Sequence, residues 1–341
     1  MFNQSLARLT LPSNLLTLSF GHDFDQSLED VVLPRALRNL AFGNGFDQSL
    51  EGVTLPNSLQ TLTFGDGFNQ TLEHVVLPSC LQSLTFGDNF NQSLAATSLP
   101  SSLLVLTFGY SFNQKLNCIT WPIGLQSLAL DRGFTQNLAR VMLPDSLRTF
   151  TFRGNLERGL SNVTLPSGLL SLTVDNTFSH NLDDLTLPSG LESLAICGTS
   201  FPGLEVVMLP ATLQSLVLAG VANHSLEGVK MPRGMKTLTL GYGFNQSLEN
   251  VMLPASLQTL TFGKRFNQSL VGVMLPSTLQ TLALGDDFNQ SMKGVILPHG
   301  LNTLAFGEAF NQNLESTSLP SGLQTLSFGS RFNQSLKLGC H

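Results

Sequence analysis

The sequence predicts an all-β protein, a parallel β-solenoid of about fifteen 22-residue coils with little or no helix. Three observations carry this. Fifteen of the sixteen prolines, from Pro12 to Pro320, recur at an unbroken spacing of 22, and only Pro202 lies off that grid. Around each proline, apolar and polar residues alternate with the period of two that marks strands with one buried face. No apolar stripe recurs at spacings of three and four, and Pro and Gly punctuate the repeats, which argues against helix. A repeat of constant length means that each coil stacks on the one before it.

The repeat around Pro254 shows the elements in order. Its apolar positions are Leu248, Val251, Leu253, Leu257, Leu260, Phe262 and Phe266. Alternation about Val251 and Leu253 predicts a first short strand, and alternation about Leu260 and Phe262 a second. Pro254 ends the first strand by removing a ladder donor, and Gly263 after the second is expected to supply a positive φ. Each strand pairs in register with its own copy in the next coil, so the expectation is two short strands per coil and two parallel sheets face to face. The apolar area within one coil cannot offset the entropy of ordering it, so stability comes from stacking. Phenylalanine columns such as Phe24, Phe46, Phe68, Phe90 and Phe112 are part of that stack. The turn that follows repeats as Phe-Asn-Gln-Ser, with Asp25 and Asp47 in the early asparagine positions and Asn69, Asn91, Asn113, Asn245, Asn267 and Asn289 among the later ones. An asparagine there can bond its own turn and the next coil, which predicts an asparagine ladder.

The pattern Leu-x-x-Val-x-Leu-Pro-x-x-Leu-x-x-Leu-x-Phe-Gly-x-x-Phe-Asn-Gln resembles the FNIP repeat, a relative of leucine-rich repeats, and is also similar to the BspA-like leucine-rich repeats. The resemblance covers essentially the whole chain. It departs in having Ser or Thr where the FNIP family tends to have Pro after Gln, and Leu-Pro in place of Ile-Pro; it also lacks an F-box or kinase partner domain. The resemblance implies a binding scaffold and brings no catalytic residues to carry over.

The chain reads as one repeat domain over 1–341, with regular coils at 2–130, degenerate coils at 131–225, regular coils at 226–336 and a short tail at 337–341. In the degenerate part Gly is replaced by Asp131, Arg153, Asp175, Cys197 and Ala219. The turn Phe becomes Leu156, Ser200 and Ala222, and the ladder Asn becomes Thr135, Glu157, Ser179 and Phe201. Stacking is expected to be weakest there. Arg132, Arg140, Arg148, Arg153 and Arg158, followed by Asp175, Asp183 and Asp184, form a charge patch in the same region. Both ends of the array are uncapped, which leaves two expectations open, a fragment of a longer array or end-to-end self-association.

Composition excludes several classes. Charged residues are 12% and the net charge is -6, which disfavours nucleic-acid binding. No apolar run or charged leader suggests a membrane span or signal peptide. Cys80, Cys118, Cys197 and Cys340 share neither a repeat position nor a metal-ligand spacing, so free thiols are expected. Seven Asn-Gln-Ser/Thr triplets, at Asn3, Asn69, Asn91, Asn245, Asn267, Asn289 and Asn333, match the glycan acceptor pattern. Stacked one coil apart they are too close for a glycan on each, which favours an intracellular, cytoplasmic location. His22, His74, His180, His224, His299 and His341 are scattered over the repeat, and no catalytic, cofactor-binding or metal-binding constellation is expected.

Function is therefore sought on outward positions. Two residues before each proline, the outward column includes Met142, Met252, Met274 and Ile296. By the leucine-rich-repeat analogy this strand lines the concave face, and Met252, Met274 and Ile296, with the adjacent Glu227 and Glu249, form an adaptable protein-contact strip. Arg140 and Met142 belong to the same candidate surface. The second strand carries Thr-x-Thr pairs, including Thr61/Thr63, Thr237/Thr239 and Thr259/Thr261. Their spacing resembles that of ice-binding solenoids, an alternative function, although Ala41, Ala195, Val217, Ala283 and Ala305 interrupt the rows.

Overall fold

A computed structural model describes residues 2–7, 9–154, 163–176, 186–198, 204–205, 207–221 and 223–335. It divides into two units, 1–172 and 173–341. The first contains β1 (Thr17–Ser19), β2 (Asn39–Ala41), β3 (Thr61–Thr63), β4 (Ser83–Thr85), β5 (Val105–Thr107), β6 (Ser127–Leu130) and β7 (Thr149–Phe152). The division falls within β8 (Ser171–Asn176). The second contains β9 (Ser193–Gly198), β10 (Ser215–Gly220), β11 (Thr237–Leu240), β12 (Thr259–Phe262), β13 (Thr281–Ala283), β14 (Thr303–Ala305) and β15 (Thr325–Ser327).

Within each unit every strand pairs in parallel with the next, residue for residue at the repeat length, as in Leu40 to Leu62 and Leu238 to Leu260. Each unit is thus a parallel β-solenoid, with no helix among the described residues.

A coil consists of one strand and three tight turns. The turns are closed by Phe24 N–H to the Gly21 carbonyl, Val31 N–H to the Leu28 carbonyl and Leu37 N–H to the Pro34 carbonyl, and later coils repeat them. The predicted first strand is therefore corrected: Val31–Leu33, Val251–Leu253 and their equivalents form no ladder, and in two coils Met231 and Leu275 N–H fold back onto the Val229 and Val273 carbonyls, so each unit has one parallel sheet rather than two.

The turns on either side supply the physical reason: Val251 N–H is spent on the Leu248 carbonyl and Leu257 N–H on the Pro254 carbonyl within the same coil, so the segment is held by its own turns. Ring centroids in the column Phe20, Phe42, Phe64, Phe86 and Phe108, next to the strands, are 5.4–5.6 Å apart. In the column Phe24, Phe46, Phe68, Phe90 and Phe112, further round the coil, they are 6.0–6.2 Å apart. The proline accepts a turn bond instead of ending a strand.

The role expected of Gly263 is also corrected. Gly43, Gly65, Gly87 and Gly263 follow their strands without positive φ; a side chain on Gly87 or Gly263 would overlap the backbone of Gly65 or Gly241 in the preceding coil. Close inter-coil approach selects glycine at this position. Positive φ occurs instead at Gly52, Gly228, Gly272 and Gly294, in the turn before the buried Val, where an L side chain in the left-handed region costs energy.

The asparagine ladder is present. Asn69 Oδ1 accepts from the backbone N–H of Asn91 at 2.9 Å and from Gln92 Nε2 at 3.1 Å, so the Gln of the motif serves the same acceptor. Asp25 and Asp47 accept in the same way. The motif Ser caps the next turn, as where Glu29 N–H donates to Ser27 Oγ. A second ladder was not foreseen: Ser58 Oγ donates to the carbonyls of Arg35 and Leu37, and Thr278 Oγ1 to those of Ala255 and Leu257. The coil interior is closely filled, with Phe24, Phe46, Phe68 and Phe90 fully buried.

In the degenerate region β9 and β10 reach six residues where regular coils have three or four. Without the tight glycine, Cys197 and Ala219 continue the ladder. The predicted irregularities at Leu156, Glu157, Ser179, Ser200, Phe201 and Ala222 lie outside the described residues, as do Arg158, Asp183, Asp184, His180, Cys340 and His341.

Candidate functional site

The extended segment after each buried Val alternates inward and outward. Val251 is buried, Leu253 is partly buried, and Met252 between them faces solvent. In consecutive coils Met252, Met274 and Ile296 are 88%, 85% and 83% exposed. Three large apolar side chains in register make a strip that an ordinary protein surface would bury or break with charge. Because their segments are not strands, the strip does not line the sheet, and the concave-face expectation falls with the first strand. Glu227 and Glu249 stand exposed in the preceding turns, where their backbone N–H groups donate to Ser225 and Ser247 Oγ. The Glu249 side chain lies over Gly272 of the next coil, where a β-carbon would meet its Cγ at 3.6 Å.

The predicted contact residues fall into two groups. Met252, Met274, Ile296, Glu227 and Glu249 belong to the second unit; Arg140 and Met142, both exposed and two residues apart, belong to the first. Nearby, Arg153 Nη1 lies 4.0 Å from Asp131 Oδ2, and Arg148 donates to the Gly168 carbonyl at 3.0 Å, so part of the arginine patch is spent internally.

The threonine pairs lie on the sheet. Thr237 pairs with Thr259 and Thr239 with Thr261 in the parallel ladder, and Thr61 and Thr63 continue to Ser83 and Thr85. All six named threonines are only partly exposed, and Ala283 and Ala305 break the row.

Cys80 and Cys118 are exposed free thiols. Among the described residues no group of three or more His, Cys, Asp or Glu is placed to hold a metal ion.

One feature of the first unit was missed in the sequence. An open groove of about 1090 Å³ crosses three coils on the side away from the strands; Val32, Thr54 and Val76 lie in it, with Glu29, Asp30, His74, Arg35, Asn57 and Ser58 around them. A further space of about 470 Å³ continues it past Glu73 and Ser98. The outward column had signalled its floor, but the depth depends on how neighbouring turns rise around that floor.

Fold and surface together define a leucine-rich-repeat-like β-solenoid, in which buried positions are fixed by stacking and outward positions vary. The chain belongs to the FNIP Repeat family, whose model matches residues 2–45, 46–89, 68–111, 90–132, 223–265, 266–309 and 310–340. It is similar to CroV588, described as a novel circular LRR protein, with 37% identity and a TM-score of 0.75 over 98% of this chain. This chain spans 56% of that one. YopM from Yersinia enterocolitica WA-314 shares the fold, with 20% identity and a TM-score of 0.51 over 87% of this chain and 65% of its own. A search of curated proteins found no match. No helix among the described residues is long and apolar enough to cross a membrane.

Proposed function

We propose that the protein is a noncatalytic protein–protein interaction scaffold whose contact surface is the strip Met252, Met274 and Ile296 with the flanking Glu227 and Glu249. The observation that carries this reading is the strip itself, three large apolar residues in consecutive coils, each more than four-fifths exposed. Methionine side chains adapt to different partner shapes, and apolar anchors ringed by polar groups are the usual anatomy of a contact site. Arg140 and Met142 are a separate proposed contact on the first unit.

Affinity capture with the intact chain, followed by quantitative binding to the recovered protein, tests the reading. Met252→Lys with Met274→Lys should abolish binding without changing the circular dichroism spectrum, because both side chains point to solvent. Thr239→Lys with Thr261→Lys should leave binding intact. Loss only in the threonine variant, together with thermal hysteresis of the purified protein, would refute the scaffold reading.

A further inference from the structure

The groove in the first unit carries a second, chemically different surface. Its rim bears Glu29, Asp30 and Glu73, and Glu51 occupies the same turn of the coil between them. Among the described residues, the side chains of Glu29, Glu51 and Glu73 form no hydrogen bond or ion pair. The floor is apolar where it matters, with Val32 84% and Val76 83% exposed. Arg35 and His74, the latter next to Glu73 in the chain, are the basic residues lining the groove.

We propose that this groove binds an extended peptide segment with Lys or Arg at alternate positions, one basic side chain per coil. Three observations fit that occupant. The carboxylates recur once per coil over three coils, so a matching ligand must also repeat once per coil. Phenylalanine rings one coil apart in the Phe24 column of the same unit are 6.0–6.2 Å apart, and alternate residues of an extended chain are about 6.6 Å apart. The small mismatch is within what twist and long side chains absorb. Lys and Arg stems cover apolar surface while their charged heads reach outward, which suits a floor of Val32 and Val76 beneath a row of glutamates. In addition, the backbone groups of the exposed residues Val32, Thr54 and Val76 make no hydrogen bond among the described residues, which leaves them available to a ligand main chain in each of the three coils.

The test is fluorescence anisotropy on the full chain with three labelled peptides: alternating Lys-Val, a block peptide of the same composition, and alternating Glu-Val. Alternating Lys-Val should bind at least about ten-fold more tightly than the block peptide, and Glu-Val should not bind. The triple variant Glu29→Lys, Glu51→Lys and Glu73→Lys should lose more than about 100-fold in affinity, with Glu→Gln at the same positions intermediate. Circular dichroism establishes that each variant folds. Equal binding of the alternating and block peptides would reduce the groove to an unregistered charge patch and overturn the proposal. So would unchanged binding by the triple variant, or self-association of the chain that the same substitutions abolish. Met252→Lys with Met274→Lys should leave peptide binding intact, so failure here is distinguishable from failure of the proposed scaffold surface.

Discussion

Replacing Asn91 with Ala removes one rung of the ladder and isolates its energetic weight. Asn91 Oδ1 accepts from the backbone N–H of Asn113 at 2.9 Å and from Gln114 Nε2 at 3.0 Å, both partly buried. Gln114 Nε2 also reaches the Asn91 backbone carbonyl at 2.9 Å, a bond that survives the substitution. The principal loss is therefore a partly buried N–H left without an acceptor, worth about 1–3 kcal/mol, with a smaller contribution from the side-chain bond. The expected cost is about 2 kcal/mol. Asn91→Asp keeps the acceptor oxygen and should cost less than about 0.5 kcal/mol, because a single surface charge change is a small perturbation. The protein already contains this solution: Asp25 accepts from Asp47 N–H at 2.9 Å, and Asp47 from Asn69 N–H at 2.8 Å. Urea denaturation followed by circular dichroism, comparing midpoints at constant slope, measures both variants. If Asp destabilises as much as Ala, the acceptor account is wrong and the amide N–H₂ or side-chain shape is what matters. If Ala costs nothing, water replaces the oxygen.

Three further outcomes test the packing and the turns. Gly87→Ala places a methyl against the Gly65 carbonyl and should cost about 3 kcal/mol, whereas Gly294→Ala meets open space at φ 80 and should cost only about 1–2 kcal/mol; thermal melts of the pair separate clash from backbone strain. Thr97 occupies the position filled by Val75 and Ile119 in the neighbouring coils, and its buried hydroxyl has no partner, so Thr97→Val should stabilise by about 1 kcal/mol in the same urea assay. The Ser330 hydroxyl and backbone N–H both donate to Glu308 and hold its carboxyl below the ordinary range. A depressed pKa means that the interaction is present at neutral pH and lost as pH falls through the folded-state value. Ser330→Ala should move the Glu308 titration upward toward the ordinary range, read by carboxyl carbon shifts in NMR.

The sequence alone determined the repeat length, the parallel register, the buried columns and the asparagine ladder. Each depends on an interaction between a residue and its own copy in the next coil, so a constant spacing in the chain becomes a constant contact in space. Met252, Met274 and Ile296 were legible as outward for the same reason, since alternation reports which side of the chain faces the core. Alternation does not report pairing. Whether Val251–Leu253 forms a strand was decided by the turns that flank it, where Val251 N–H bonds Leu248 and Leu257 N–H bonds Pro254 within the coil and no ladder runs to the next. The glycine after each strand shows the same limit: its residue type was visible, but the preceding coil's backbone that excludes a side chain there was not. The groove over Val32, Thr54 and Val76 was likewise decided by tertiary structure, because its walls come from turns that stand around the floor only once the coils are stacked.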